Sequence, residues 1–153
     1  MECKVSDFGL ARDVMNIRVY QRQSQGPLPM RWMALESLLD DVYTTESDVW
    51  SFGILLWEIA TLGARPYPLM SAKKVLRKIK RGYRMPIPNG CMYELYEMML
   101  QCWLEVPSNR PSFQSIYDRL TEFLNNDQHY ITVDKLEKPN NDFIMTLDMM
   151  EKF

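Results

Sequence analysis

One stretch, from Asp48 through Val49-Trp50-Ser51-Phe52-Gly53-Ile54-Leu55-Leu56-Trp57-Glu58-Ile59 to Leu62, constrains the fold more than any other part of the chain. Its apolar residues leave only a thin polar strip, the pattern of a helix buried at the centre of a domain. Thr45 as N-cap with Asp48 at N3 predicts a box-like start, and Gly63 supplies the stop. A membrane span is excluded, because the run is shorter than the ~20 apolar residues a bilayer needs and carries Glu58 inside and Asp48 at its edge. Other elements must therefore cover it.

The remaining pattern supplies helices for that purpose. A Pro-rich connection (Pro66, Pro68) leads to a basic helix at about Ser71–Arg81, with Val75, Leu76 and Ile79 turned inward. Its Lys73, Lys74, Arg77, Lys78 and Lys80 read either as an anion site or, more simply, as a solvated face. Two further helices are predicted at about Met92–Leu104 and Ser112–Leu124, and a short one following Glu36-Ser37-Leu38. Residues 2–6 read as a short strand, and 7–33 as an irregular segment broken by Gly26, Pro27 and Pro29. From Asn125 the periodicity ends, which predicts a flexible tail over 125–153 with at most a short helix near Met145–Met150.

Composition removes several function classes. With 153 residues and a net charge of −2 the chain is one domain, and it lacks the overall positive charge of an electrostatic nucleic-acid binder. Cys3, Cys91 and Cys102 lack zinc spacing and read as reduced thiols. His129 is the only histidine, which excludes a His-based metal cluster or a Ser/His/Asp triad within the chain. Met1-Glu2-Cys3-Lys4 runs directly into strand-like sequence, so no targeting segment is expected.

Four linked motifs carry the functional reading. Asp7-Phe8-Gly9 lies within Lys4 to Arg12; Met33-Ala34-Leu35-Glu36-Ser37-Leu38 follows; then come Ser47-Asp48-Val49-Trp50-Ser51-Phe52-Gly53 and, last, Cys102-Trp103 leading to Pro107 and Arg110-Pro111-Ser112-Phe113. In this order and spacing, residues 1–124 resemble the C-terminal lobe of a protein kinase. Pro29-Met30-Arg31-Trp32-Met33-Ala34 is similar to the substrate loop of tyrosine kinases. Ser24-Gln25-Gly26, Leu35 and Tyr43-Thr44-Thr45 are most similar to RET-type receptor kinases. The expected fold is mainly α, the lower lobe of the kinase fold without its N-terminal lobe or catalytic loop.

The resemblance implies roles residue by residue. Asp7 would bind the Mg²⁺ that bridges the phosphates of ATP, Phe8 would pack against the lobe, and Gly9 would let the loop swing. Tyr20, between Arg18 and Arg22, would be the autophosphorylation switch, its phosphate ordering the loop through guanidinium contacts. RET-like kinases tend to carry a second tyrosine where this chain has Met15. Pro29 fixes the substrate loop, and Met30, Trp32 and Met33 would floor an acceptor tyrosine. Glu36 and Arg110 would form a buried ion pair, and Asp48, which in the family holds the catalytic loop, would stand exposed or poorly satisfied here. Tyr130, with Val133 three residues on, could recruit a phosphotyrosine-binding adaptor.

No Gly-rich phosphate loop, paired lysine or H-R-D-x-x-x-x-N catalytic loop occurs in these residues, so no catalytic base is assigned and the isolated chain is expected to be inactive. The complete protein would be an ATP- and Mg²⁺-dependent receptor tyrosine kinase at the cytoplasmic face of the plasma membrane. It would pair with a second receptor and act on protein tyrosines, with no nucleic acid bound and no membrane contact by this segment. The competing readings are a non-catalytic truncated lobe acting as a docking or dominant-negative module, and an inactive pseudokinase. Roughly 400 Å² of central-helix surface left bare would forfeit about 10 kcal/mol, so the isolated segment is expected to be poorly soluble.

Overall fold

Thr44, not Thr45, opens the central helix in the computed structural model, which describes residues 4–6, 8–11, 20–21, 28–126 and 131. Either threonine can cap, and the residue at N3 decides between them. The Ser47 N–H donates to Thr44 Oγ1 at 3.3 Å while the Thr44 N–H donates to Ser47 Oγ at 2.9 Å, a reciprocal capping box. Thr44 also continues extended backbone (φ −141°) from a short strand, β2 (Val42–Tyr43), which pairs antiparallel with β1 (Tyr20–Gln21). The central helix, α2, then runs Thr45–Ala60. Leu62 and Gly63 both take positive φ (53° and 88°), and the Gly63 N–H closes on the Glu58 carbonyl at 2.8 Å.

Around α2 the predicted helices appear with small shifts in their ends: α3 (Ala72–Lys80), α4 (Tyr93–Cys102) and α5 (Phe113–Asn125). Ser71 and Ser112 sit just outside α3 and α5 as N-caps, accepting from the N–H groups of Lys74 and Ser115. The short helix α1 (Leu35–Asp40) contains Glu36-Ser37-Leu38 instead of following it, and Asp41 in left-handed backbone (φ 54°) ends it. Lys4–Ser6 form no strand, and Phe8–Leu10 make a single 3₁₀ turn. The helix expected near Met145–Met150 lies outside the described residues.

The core lies between α2 and α4. Trp50, Ile54, Trp57 and Ala60 of α2 meet Leu95, Met98, Met99 and Cys102 of α4, with Val75 and Ile79 of α3 closing one end. Gly53 permits the close approach: a Cβ there would sit 2.7 Å from both Cys102 Cβ and Trp103 Nε1. Beyond α5, Ile131 makes an antiparallel bridge with Cys91 and packs against the core, so the tail expected to run free from Asn125 is pinned at this residue.

α2 has the pattern of a helix buried on nearly every side, yet part of its apolar surface lies bare among the described residues, as the bare-surface expectation for this helix requires. Leu55 and Ile59 are about half exposed, at 46 % and 52 %, and Leu62 beyond the helix end is 60 % exposed. Leu55 and Ile59, four residues apart, share one face of α2 that stays about half open among the described residues.

Candidate substrate loop and its anchors

The polar strip of α2 is where the structure fastens the loop over residues 28–33. Ser51 and Glu58, seven residues apart and therefore on one face after two turns, both reach it. Ser51 Oγ donates to the Trp32 carbonyl at 2.8 Å, and Trp32 Nε1 donates to Glu58 Oε2 at 2.6 Å. Within the loop, the Trp32 N–H closes a turn on the Pro29 carbonyl at 3.0 Å.

Arg31 supplies a third anchor. Its guanidinium donates to the carbonyls of Pro66 and Tyr67, both at 2.7 Å, and to that of Met70, binding the loop to the connection between α2 and α3. Burial lowers its pKa, and the nearby charge of Arg65 lowers it further. The four loop residues assigned from sequence come together unequally. Pro29 is exposed and Met30 and Trp32 are half-buried, whereas Met33 is buried at 6 % and leaves little surface for an acceptor to touch.

Glu36 and Arg110, 74 residues apart, meet in a two-pronged ion pair with N–O distances of 2.6 and 2.8 Å. The Arg110 guanidinium also donates to the carbonyls of Glu46 at 2.9 Å and Leu104 at 2.8 Å, so it ties α1, the first turn of α2 and the loop after α4 together. Its side chain has no exposed surface. The guanidinium carbon lies 5.1 Å from the centroid of the Trp50 ring, and that of Arg84 lies 4.7 Å from it.

Asp48 stands exposed, yet the adjoining lobe surface displaces enough water to raise its carboxyl above the ordinary value. No described residue donates a hydrogen bond to it. Phe8 is 68 % exposed and does not pack against the lobe, because its 3₁₀ turn meets no apolar wall among the described residues; Gly9 beside it is exposed. Asp7 and Tyr130 lie outside the described residues. The backbone of Tyr20 is placed opposite Tyr43 in the β1–β2 ladder. Among the described residues no three metal-ligating side chains converge, so the fit of Mg²⁺ to this chain rests on Asp7 in the sequence.

Sequence reasoning missed Arg31, Ser51 and Glu58 as anchors. The seven-residue spacing of Ser51 and Glu58 on an otherwise apolar helix was a usable signal. Arg31 offered none, since its acceptors are carbonyls 35 to 39 residues away.

A helical lobe built on one central helix, with a loop clamped to it and an ion pair closing the segment, defines a kinase lower lobe. The chain belongs to the protein tyrosine and serine/threonine kinase family, whose model matches residues 1–120. More particularly, it is 48 % identical over 145 residues to the tyrosine kinase receptor Cad96Ca of Drosophila melanogaster, covering 95 % of this chain and 19 % of that protein. It is 49 % identical over 121 residues to a fibroblast growth factor receptor of Hydra vulgaris, covering 79 % of this chain and 15 % of that one. The chain thus spans less than a fifth of the length of either relative.

Proposed function

We propose that residues 1–124 are the lower lobe of a receptor protein-tyrosine kinase and 125–153 its tail, and that the complete protein transfers the γ-phosphoryl group of ATP to tyrosines of other proteins in transmembrane signalling. The observation that carries this reading is the threefold anchoring of the 28–33 loop by Arg31, Ser51 and Glu58. Phosphoryl transfer asks a protein mainly for positioning, and a platform fixed to the rigid centre of the lobe holds an acceptor hydroxyl in one place. Met30 and Trp32, half-buried on that platform, suit an aromatic acceptor.

In the reaction the tyrosine oxygen takes the phosphoryl group, ADP leaves, and the phenolic proton passes to a base outside these 153 residues. Asp7 would hold the Mg²⁺ that neutralises phosphate charge. Tyr20 would be autophosphorylated, and Tyr130 would bind an adaptor once phosphorylated. A second receptor in the same membrane would be the dimer partner, with the kinase on the cytoplasmic side. The narrower kinship with RET-type receptors rests on Ser24-Gln25-Gly26, Leu35 and Tyr43-Thr44-Thr45, whereas the relatives found are receptor kinases of other names.

The test joins these residues to the upstream sequence of the same transcript. The complete kinase phosphorylates a tyrosine peptide and not its serine counterpart, Asp7→Asn lowers kcat by about 10²-fold or more, and the 153-residue chain alone is inactive. Serine phosphorylation, or an upstream sequence without a catalytic loop, overturns the reading.

A further inference from the structure

Charge is segregated along this chain to a degree that its net value of −2 conceals. Residues 59–93, the whole interval between Glu58 and Glu94, carry eight Lys or Arg side chains and no Asp or Glu. Folding gathers part of this excess into a row. Val75 and Ile79 of α3 are buried, while Lys73, Arg77, Lys80 and Arg81 stand exposed on the opposite side of the helix. None of these four forms an ion pair with a described residue. At ~1.5 Å of rise per residue the row is about 12 Å long.

The row begins at the substrate loop. Arg31 of that loop donates to the Met70 carbonyl, immediately before the Ser71 cap of α3. Arg65, also exposed, lies close enough to depress the pKa of Arg31, so two guanidinium groups stand where loop and helix meet, while the Glu58 carboxylate is engaged by Trp32 on the side of the loop that faces α2. A positive surface continuous with an acceptor platform favours negative charge on whatever chain lies across that platform.

We propose that the exposed face of α3, through Lys73, Arg77, Lys80 and Arg81, is a docking site for an acidic segment of the protein substrate, outside the acceptor platform itself. An extended peptide advances ~3.3 Å per residue, so a run of about four Glu or Asp residues matches the row. Four exposed cationic side chains spread along a helix attract carboxylates without fixing their order, so selection acts on net charge and not on sequence. This inference rests on the reading of residues 28–33 as the substrate loop.

The test uses fluorescence anisotropy of the 153-residue chain with three labelled peptides: a tyrosine peptide ending in four glutamates, the same peptide with glutamines, and the same with lysines. The glutamate peptide binds, the other two do not, and binding is lost as salt rises from about 0.1 M to about 1 M and the screening length falls from about 10 Å to about 3 Å. The pair Lys73→Glu with Arg77→Glu weakens it by about ten-fold, whereas Lys73→Arg with Arg77→Lys, which keeps the charge, retains it. Circular dichroism of each variant verifies the fold. Equal binding of the glutamate and glutamine peptides overturns the proposal. So does binding to phosphatidylserine vesicles with none to the glutamate peptide, which would assign the face to a lipid surface. The complete kinase separates this idea from the kinase reading. Equal KM for glutamate and glutamine peptides removes the docking site and leaves the kinase, while anisotropy binding without phosphorylation of either peptide removes the kinase and leaves the site.

Discussion

Replacing Glu36 with Gln keeps the volume of the side chain and removes its charge, which isolates what the ion pair with Arg110 contributes. Arg110 loses a partner held at 2.6 and 2.8 Å, and one of its N–H groups then faces an amide N–H. Removing one member of a buried pair costs about 3–5 kcal/mol, because the remaining charge stays buried without compensation. Two features place this case at the lower end. The carbonyls of Glu46 and Leu104 still accept from the guanidinium, and the Glu36 side chain is 14 % exposed, so water can reach the vacated position. The expected loss is therefore about 3 kcal/mol, a large share of the ~5–15 kcal/mol that stabilises a typical domain. Trp50 against Arg110 makes tryptophan fluorescence during urea denaturation a suitable assay. A double-mutant cycle with Arg110→Met completes it: if the pair is the cause, Glu36→Gln costs much less in a chain already carrying Arg110→Met than in the wild type. A cost below about 1 kcal/mol for Glu36→Gln alone, or additive costs in the cycle, would refute the reasoning.

Three further perturbations follow from the same geometry. Gly53→Ala forces a Cβ to 2.7 Å from Cys102 Cβ and Trp103 Nε1, so denaturation should report a loss of about 1–3 kcal/mol; an unchanged midpoint would show that α2 and α4 separate freely. Folding raises the Asp48 carboxyl, so the folded state binds that proton more tightly than the unfolded chain; the ionised group costs stability at neutral pH, and the cost fades as pH falls towards the ordinary carboxylate range. Asp48→Asn should accordingly raise the urea midpoint of this chain at about pH 7 and lose that advantage near about pH 4, whereas a lower midpoint at neutral pH would mean that the carboxylate has a stabilising partner. Burial pushes the Cys102 thiol up to about 12 and the half-buried Cys91 thiol up to about 11, so a disulfide reagent at mild alkaline pH should modify Cys102 only after unfolding. Rapid labelling of Cys102 in the folded chain would contradict the packing of α4.

Local sequence was sufficient wherever one segment could settle its own conformation. The apolar run of α2, the serine caps of α3 and α5 and the glycine after α2 all act within one or two helical turns, and those helices form within a few residues of where periodicity puts them. The order of the motifs likewise identified the kinase family, because it is a property of the linear chain. Where two local solutions were nearly equal, the neighbourhood chose: Thr44 and Thr45 can both cap, and the extended strand arriving at Thr44 together with the hydroxyl of Ser47 selected the first. The ion pair of Arg110 with Glu36, 74 residues apart, was expected only through the family resemblance, and the carbonyls that hold Arg31, 35 to 39 residues away, left no trace in the sequence, because no periodicity carries a signal over such distances. Which apolar residues would lie bare, Leu55 and Ile59 on α2 and Phe8 far from it in sequence, was invisible for a related reason. An apolar side chain records that burial is favourable, but only the arrangement of every other element determines whether a partner surface is there to bury it.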